Sequence, residues 1–237
     1  MSAPPAPGGP ARPRAILFDW DNTLVDNWPA VHEALNTTFR AMGHAPWTLE
    51  ETRARVRKSL RDSFPEMFGA RWTEAREIFY DRFAAVHLDF LWPLDGAGEV
   101  LAWLAGEGLY LGVVSNKAGG YLREEAARLG WDGYFGKIVG ATDAAADKPD
   151  GAPVRMALDG SGIGPGPAVW FVGDGAIDVE CAVNSGLTPV ALLREDTEAE
   201  LLRHNLVQFV AQQCRVRSME GLKSLVKGRL APISGRY

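Results

Sequence analysis

Two aspartates separated by a single residue follow an apolar run near the N-terminus. The run AILF predicts a short buried strand, and Asp19, Trp20 and Asp21 follow it directly. The carboxyl ends of strands in open α/β sheets form the edge at which ligands bind. Because two like charges this close repel each other, a hard divalent cation such as Mg²⁺ is predicted beside Asp19 and Asp21.

Three further polar groups follow strand-like or loop segments downstream. The run YLGVVSN ends an apolar strand at Ser115. Lys148 follows a loop of small residues and precedes Pro149, which stiffens the chain locally. The run AVWFVGDGAID ends another apolar strand at Asp174 and places Asp178 four residues later. A hydroxyl, a lysine and a second acid pair therefore follow the first acid pair along the chain.

The motifs DWDNT, VVSNK, ADKPD and GDGAID, in this order, resemble those of the haloacid dehalogenase (HAD) superfamily of phosphotransferases. One short motif can recur by chance, but four in the right order and context are a strong signal. The resemblance covers residues 14–226 and is to the phosphoglycolate phosphatase-like subgroup with a helical cap. It implies an α/β fold, with a Rossmann-like parallel sheet core (HAD-like) and an inserted helical cap domain.

The resemblance also implies a chemical role for three of these residues. Phosphoryl transfer depends on positioning and on neutralising charge. Asp19 would be the nucleophile that forms an aspartyl-phosphate, and Lys148 would neutralise both the phosphoryl group and Asp19. Asp21 would be the general acid and base. An acid at position 21 favours phosphate esters over carbon–halogen or carbon–phosphorus substrates.

The same resemblance implies a Mg²⁺ site. Asp19, the backbone carbonyl of Asp21, and Asp174 would bind the metal directly. Asp178 would bind it through water or orient Lys148, although an acid in the first turn of a helix is also favoured by the helix dipole.

Four residues around these groups complete the predicted site. Ser115 and the backbone N–H of Asn116 are predicted to bind phosphoryl oxygens, and Thr23 to hold the nucleophile and contribute to substrate binding, or to be an ordinary turn hydroxyl. Asn22 stands where glycine is usual, and because Asn tolerates a positive φ the backbone shape is expected to persist. Lys117 is predicted to be solvated.

Alternating apolar runs and helical stretches predict a parallel sheet covered on both faces. Strands are predicted at 15–18, 109–114, 137–140, 169–172 and 190–193, with a short further strand at 207–210. Helices are predicted at 119–129, 153–158, 177–184 and 220–226.

One region breaks this alternation, because residues 28–91 show only helical periodicity, at 32–42, 49–60 and 74–88. A βαβ crossover needs far fewer residues, so the excess predicts an inserted helical domain. The predicted organisation is a disordered tail at 1–13, a core at 14–27 and 93–228, a helical cap at 28–92 and a C-terminal tail at 229–237.

Composition narrows the classes of partner. A hydrophobic fraction of 46% with 23% charged residues is that of an ordinary globular protein rather than a disordered one. A net charge of −5 argues against nucleic acid as a partner, and no apolar run approaches the ~20 residues that span a bilayer. Cys181 and Cys214 lack metal or redox spacing and the N-terminus is not a signal peptide, which predicts a cytoplasmic protein.

The predicted function is that of a Mg²⁺-dependent phosphatase for a small phosphorylated metabolite. The cap would contact the leaving group, and Lys58 or Arg61 could face an anion there or form an exposed basic helix face. Two alternatives remain open at this stage: a sugar phosphomutase with the same aspartates, and a non-catalytic binding protein of the same fold. A monomer and a homodimer are both compatible with the sequence.

Overall fold

The computed structural model describes residues 9–56, 60–194 and 197–231. Six parallel strands form the main sheet: β1 (Ala15–Phe18), β4 (Tyr110–Ala118), β5 (Lys137–Ala141), β6 (Val169–Gly173), β7 (Thr188–Leu192) and β8 (Arg215–Val216). Their order across the sheet is β5-β4-β1-β6-β7-β8. The predicted α/β class with a parallel sheet is confirmed.

Strand β1 lies at the centre of the sheet, between β4 and β6. Ile16, Leu17 and Phe18 are completely buried, because a central strand of a parallel sheet is covered on both faces. Leu17 belongs to an apolar cluster that also contains Val114, Phe171 and Ala182. Burial on both faces explains why the sequence of β1 is uniformly apolar rather than alternating.

Helices connect these strands within the α/β unit. They are α5 (Ala97–Gly106), α6 (Gly119–Arg128), α7 (Ala152–Leu158), α8 (Ala176–Asn184), α9 (Thr197–Arg203) and α10 (Met219–Leu230). Helix α8 packs on β6 and β7, and α6 packs on β4 and β5. These two helices matter for the site because each carries one buried acid towards the sheet.

Backbone contacts divide the chain into two compact units, Met1–Val25 with Pro93–Tyr237, and Asp26–Trp92. The short strands β2 (Val25–Asp26) and β3 (Trp92–Pro93) pair where the chain passes from one unit to the other. The predicted insertion began at residue 28, two residues later, and its role as a cap stays a prediction.

The second unit is built from helices α1 (Trp28–Met42), α2 (Leu49–Arg55), α3 (Leu60–Phe68) and α4 (Trp72–Val86). Helix α1 ends at Gly43, whose φ of 79° suits glycine. Helix α2 begins with a reciprocal cap between Thr48 and Glu51. An aromatic cluster joins the helices, since the ring of Phe64 meets that of Phe79 edge-on at 5.7 Å.

One helix predicted for this unit is divided into two in the structure. The single helix predicted at 49–60 is wrong, because α2 ends at Arg55 and a separate helix, α3, begins at Leu60. The apolar spacing continued across this break, whereas the backbone leaves the helical region at Val56, whose ψ is 92°. Lys58 and the side chain of Arg61 lie outside the described residues.

The strand predicted at 207–210 is also wrong, because Val207–Phe209 forms a 3₁₀ helix. The Arg215 side chain donates hydrogen bonds to the carbonyl oxygens of Val207 and Val210, which a sheet neighbour would otherwise satisfy. Strand β8, which contains Arg215, takes the edge position instead.

Both predicted tails include residues that belong to the folded part of the chain. Helix α10 extends to Leu230, so residues 229 and 230 are helical. At the other end, Pro13 is buried and the carbonyl oxygen of Ala11 accepts a hydrogen bond from Trp170 at 3.0 Å. Among the described residues, no helix has both the length and the apolar character needed to cross a bilayer.

Candidate active site

The sheet topology brings the four motifs to one edge. Asp19 follows β1, Ser115 lies in β4 and Asp174 follows β6, and β1 is the neighbour of both other strands. The backbone N–H of Asp19 donates to the carbonyl oxygen of Val172 at 2.9 Å, which extends the β1–β6 pairing to the acid itself. The predicted residues from distant parts of the chain therefore converge at the carboxyl end of the sheet.

A tight turn follows the first acid pair. Asn22 has a φ of 61°, as predicted for a residue that stands in place of glycine. The carbonyl oxygen of Trp20 accepts from the N–H of Leu24 at 2.9 Å, and the N–H of Asn22 donates to the carbonyl oxygen of Val25 at 2.7 Å. These bonds fix the backbone on both sides of Asp21.

Lys148 lies between two carboxylates at the centre of the site. Its Nζ is 2.6 Å from Asp19 Oδ1 and 2.7 Å from Asp178 Oδ1, and all three residues are buried. Burial alone would lower the pKa of Lys148, but Asp178 and Asp19 offset this effect and raise it above its usual range. Lys148 is thus a fixed positive charge beside the predicted nucleophile.

The backbone of Lys148 is held by Asn116. The Asn116 side chain donates to the Lys148 carbonyl oxygen at 3.1 Å and accepts from the Lys148 N–H at 3.0 Å. The side chain of Asn116 therefore positions the lysine loop, while substrate binding through its backbone N–H stays a prediction. Neighbouring Ser115 is buried, and its hydroxyl accepts from the N–H of Lys117 at 3.2 Å.

Three carboxylates are close enough to share one cation. Oxygen atoms of Asp19, Asp174 and Asp178 all lie within 4.8 Å of one another. Burial, together with repulsion from Asp19 and Asp178, raises the pKa of Asp174 well above its usual range. Carboxylate oxygens are the ligands that Mg²⁺ prefers, so this donor set fits the predicted metal. A bound cation would relieve the repulsion that raises the Asp174 pKa.

Two smaller contacts shape this acid cluster. The Thr23 hydroxyl is 3.1 Å from Asp174 Oδ1 and 3.4 Å from Asp19 Oδ2, so it can hold either acid. Asp178 Oδ2 accepts from the N–H of Gly175 at 3.0 Å. A side chain at Gly173 would collide with the Asp178 carboxylate, which explains the glycine at the end of β6.

Asp21 lies in a second charged group beside the first. Its Oδ1 is 2.8 Å from the Nζ of Lys117, which is also 2.6 Å from Glu125 Oε2. Burial raises the pKa of Asp21 to about 6, although Lys117 lowers it. With 29% of its side chain exposed, Asp21 still reaches solvent, and its pKa suits a general acid and base near neutral pH.

The expectation that Lys117 is solvated is wrong, because only 5% of its side chain is exposed. Strand β4 continues to Ala118, so alternation places Lys117 on the same face as the buried Ser115. The strand predicted here covered only residues 109–114. Glu125 was missed although it falls on the buried face of α6 with Leu122, and an acid on such a face is a detectable signal.

Comparison with known proteins identifies the family. Residues 16–192 match the family model described as haloacid dehalogenase-like hydrolase. The chain is 30% identical over 191 residues to the phosphoglycolate phosphatase of Xylella fastidiosa, covering 79% of this chain and 83% of that protein. It is also 30% identical over 191 residues to phosphoglycolate phosphatase 1 of Pseudomonas aeruginosa, covering 76% and 69% of the two chains.

Solved structures show the same fold. The structure of a predicted phosphatase from Clostridium acetobutylicum superposes with a TM-score of 0.75 at 21% identity, over 93% of this chain and 99% of that one. A haloacid dehalogenase-like hydrolase from Streptococcus pneumoniae gives a TM-score of 0.72 at 23% identity, over 81% and 91%. The chain therefore belongs to the haloacid dehalogenase-like hydrolase family, as a phosphatase of the phosphoglycolate phosphatase-like kind.

Proposed function

We propose that this protein is a Mg²⁺-dependent phosphatase that hydrolyses a small phosphorylated metabolite through an aspartyl-phosphate on Asp19. The observation that carries the proposal is the convergence of Asp19, Lys148, Asp174 and Asp178 around one point at the sheet edge. Its relatives are phosphoglycolate phosphatases, which makes a phosphate ester with a small anionic leaving group the first substrate to test.

In the first step, the Asp19 carboxylate attacks phosphorus while the ester oxygen leaves and takes a proton from Asp21. Lys148 stays charged throughout and balances Asp19 before attack and the phosphoryl oxygens after it. In the second step, Asp21 removes a proton from water as the water oxygen bonds to phosphorus and Asp19 is released. The hydroxyl of Ser115 would bind a phosphoryl oxygen beside Lys148.

The metal would be held by Asp19 and Asp174, with the Asp21 carbonyl and Asp178 completing the predicted set. When bound, Mg²⁺ supplies positive charge that neutralises the phosphoryl dianion. We also place the enzyme in the cytoplasm, because Cys181 and Cys214 are free, and burial raises their thiol pKa values to about 12 and about 11.

The test is phosphate release from a panel of phosphoglycolate, sugar phosphates and nucleoside monophosphates, with Mg²⁺ and after its removal by EDTA. Metal-dependent release from one compound well above the rest supports the proposal and names the substrate class. Phosphoryl return to a sugar without net phosphate release would identify a mutase instead. No turnover of any compound by a folded protein that binds Mg²⁺ would overturn the enzymatic proposal.

A further inference from the structure

We propose that Lys117, anchored by Glu125 and Trp20, is a positioning residue that holds the general acid Asp21 for proton transfer to the leaving group. The inference rests on the proposed function, since it assigns a second lysine a positioning role in the same reaction. Lys117, Glu125 and Trp20 lie outside the six positions already assigned, which are the acids at 19, 21, 174 and 178, the hydroxyl at 115 and the lysine at 148.

The first observation is a closed chain of hydrogen bonds. The indole N–H of Trp20 donates to Glu125 Oε2 at 2.7 Å, and the Nζ of Lys117 donates to the same oxygen at 2.6 Å. The same Nζ donates to Asp21 Oδ1 at 2.8 Å. The contacts thus run from Trp20 through Glu125 and Lys117 to Asp21, which directly follows Trp20 in the sequence.

The second observation is that the anchor is immobilised by packing. Trp20 and Glu125 are completely buried. The Trp20 ring meets Trp131 at 5.9 Å and Phe135 at 6.4 Å, both edge-on. A buried carboxylate with two donors on one oxygen has little freedom to rotate, and it therefore fixes the ammonium group that it accepts from.

The third observation concerns which oxygen of Asp21 can carry a proton. A lysine ammonium group only donates hydrogen bonds, so Asp21 Oδ1 must accept in this contact. The carbonyl oxygen of a protonated carboxyl group is a better acceptor than its hydroxyl oxygen, so this contact favours Oδ2 as the oxygen that carries the proton for the leaving group. Lys117 selects one of two otherwise equivalent oxygens, and the selection fixes the direction of proton transfer.

An alternative without a catalytic consequence is that Lys117 only neutralises Glu125. A purely structural lysine would need no contact with Asp21, whose side chain is 29% exposed and could rotate towards solvent. The two readings differ in what happens to proton donation when the lysine is removed. A strongly basic alkoxide leaving group needs that proton, whereas the weakly basic nitrophenolate leaves without it.

The test compares Lys117→Met with wild type on an alkyl phosphate and on p-nitrophenyl phosphate, using kcat/KM, which reports the first phosphoryl transfer. We expect a loss of about 100-fold for the alkyl ester and less than about threefold for the aryl ester. Because water attack also needs Asp21, kcat for the aryl ester should fall, and a burst of nitrophenol should appear as phosphoenzyme accumulates. An equal loss on both esters without a burst would overturn the proposal.

Two further variants keep the test informative if Lys117→Met does not fold. Trp20→Phe removes the indole N–H together with part of the buried ring, and Glu125→Gln keeps an acceptor while removing its charge. Both should show the same leaving-group pattern with a smaller loss, whereas wild-type behaviour of both in the folded state would contradict the anchoring role. Lys117→Arg should recover part of the alkyl activity.

The controls separate this inference from the proposed function. Lys137→Met removes a lysine of the exposed Lys137–Asp159 pair and should leave both esters unaffected. If wild type hydrolyses neither ester, the proposed function fails first. If wild type is active and Lys117→Met loses both activities equally, only the positioning role fails.

Discussion

The site contains two buried lysines, and each joins one aspartate of the first motif to an acid on a helix. Lys148 joins Asp19 to Asp178 on α8. Lys117 joins Asp21 to Glu125 on α6, in a group of the same design. The aspartates of the two groups are separated only by Trp20, and we propose that the first group holds the nucleophile and the second the proton donor.

The two lysine groups differ in what surrounds the aspartate. Asp19 is buried and its partner lysine remains charged, so the proposed nucleophile is held beside a permanent cation. Asp21 is partly exposed and burial raises its pKa to about 6 in spite of its lysine, so it can exchange a proton near neutral pH. A buried lysine between two carboxylates is therefore compatible with either charge neutralisation or proton transfer, depending on the solvent access of the aspartate.

The largest effect is expected when the nucleophile is removed from the first group. Asp19→Asn should lower turnover on the order of 10⁴-fold or more for alkyl and aryl esters alike, because no aspartyl-phosphate can form. Steady-state phosphate release and trapping of the phosphoenzyme would measure this. Asp159→Asn, a surface acid paired with Lys137, is the matched control. Retained turnover by folded Asp19→Asn would contradict the aspartyl-phosphate mechanism.

Removal of the lysine from the first group should give the next largest effect. Lys148→Met should lower kcat/KM about 10³-fold for both ester types, since charge neutralisation does not depend on the leaving group. This uniform loss would contrast with the selective loss expected for Lys117→Met.

The stability of Lys148→Met must be measured together with its kcat/KM, because the substitution leaves Asp19 and Asp178 without the cation between them. Thermal melts would show whether the variant is still folded at the assay temperature. A loss confined to alkyl esters would contradict the proposal that Lys148 neutralises charge whereas Lys117 positions the proton donor.

Metal binding should stabilise the first group. Mg²⁺ at about 100 times its Kd should add roughly 2.7 kcal/mol to the free energy of unfolding, which raises Tm by about 5–10 °C. Asp174→Asn should abolish most of this shift, because Asp174 belongs to the acid cluster, where burial and repulsion from Asp19 and Asp178 raise its pKa. Thermal melts with Mg²⁺ and with EDTA would test it. An undiminished shift in Asp174→Asn would place the metal elsewhere.

The smallest effect concerns the second group and depends on pH. The folded-state pKa of Asp21 is raised to about 6, so its contribution to stability is present below about pH 4 and is lost as the pH rises through 6. Asp21→Asn avoids this loss and should raise the free energy of unfolding at pH 8 by roughly 1–2 kcal/mol, after discounting for solvent screening.

Urea unfolding in EDTA at pH 5 and pH 8 would measure this gain, which should be smaller at pH 5. Asp159→Asn provides the control, because the hydrogen bond from Lys137 lowers the pKa of Asp159 and no gain at pH 8 is expected. A lower stability of Asp21→Asn at pH 8 would show that its contact with Lys117 outweighs its burial.

Much of the fold was accessible from sequence because its signals are local. Strand β1 was predicted with the same bounds, since four consecutive apolar residues before two acids are typical of a central parallel strand. The 3₁₀ helix at Val207–Phe209 was not, because a short apolar run is compatible with several backbone conformations. Its conformation depends on the Arg215 side chain, which the run itself does not contain.

By itself, the sequence determined the chemical groups and their order: the acids at 19, 21, 174 and 178, the hydroxyl at 115 and the lysine at 148. These follow from motif spacing at strand ends, which is local. Only the tertiary structure decided that Lys117 turns inward to Asp21 and that Glu125 receives Trp20, 105 residues away. The physical reason is that a buried charge is stable only with its partner, and the partner is brought by packing rather than by spacing along the chain.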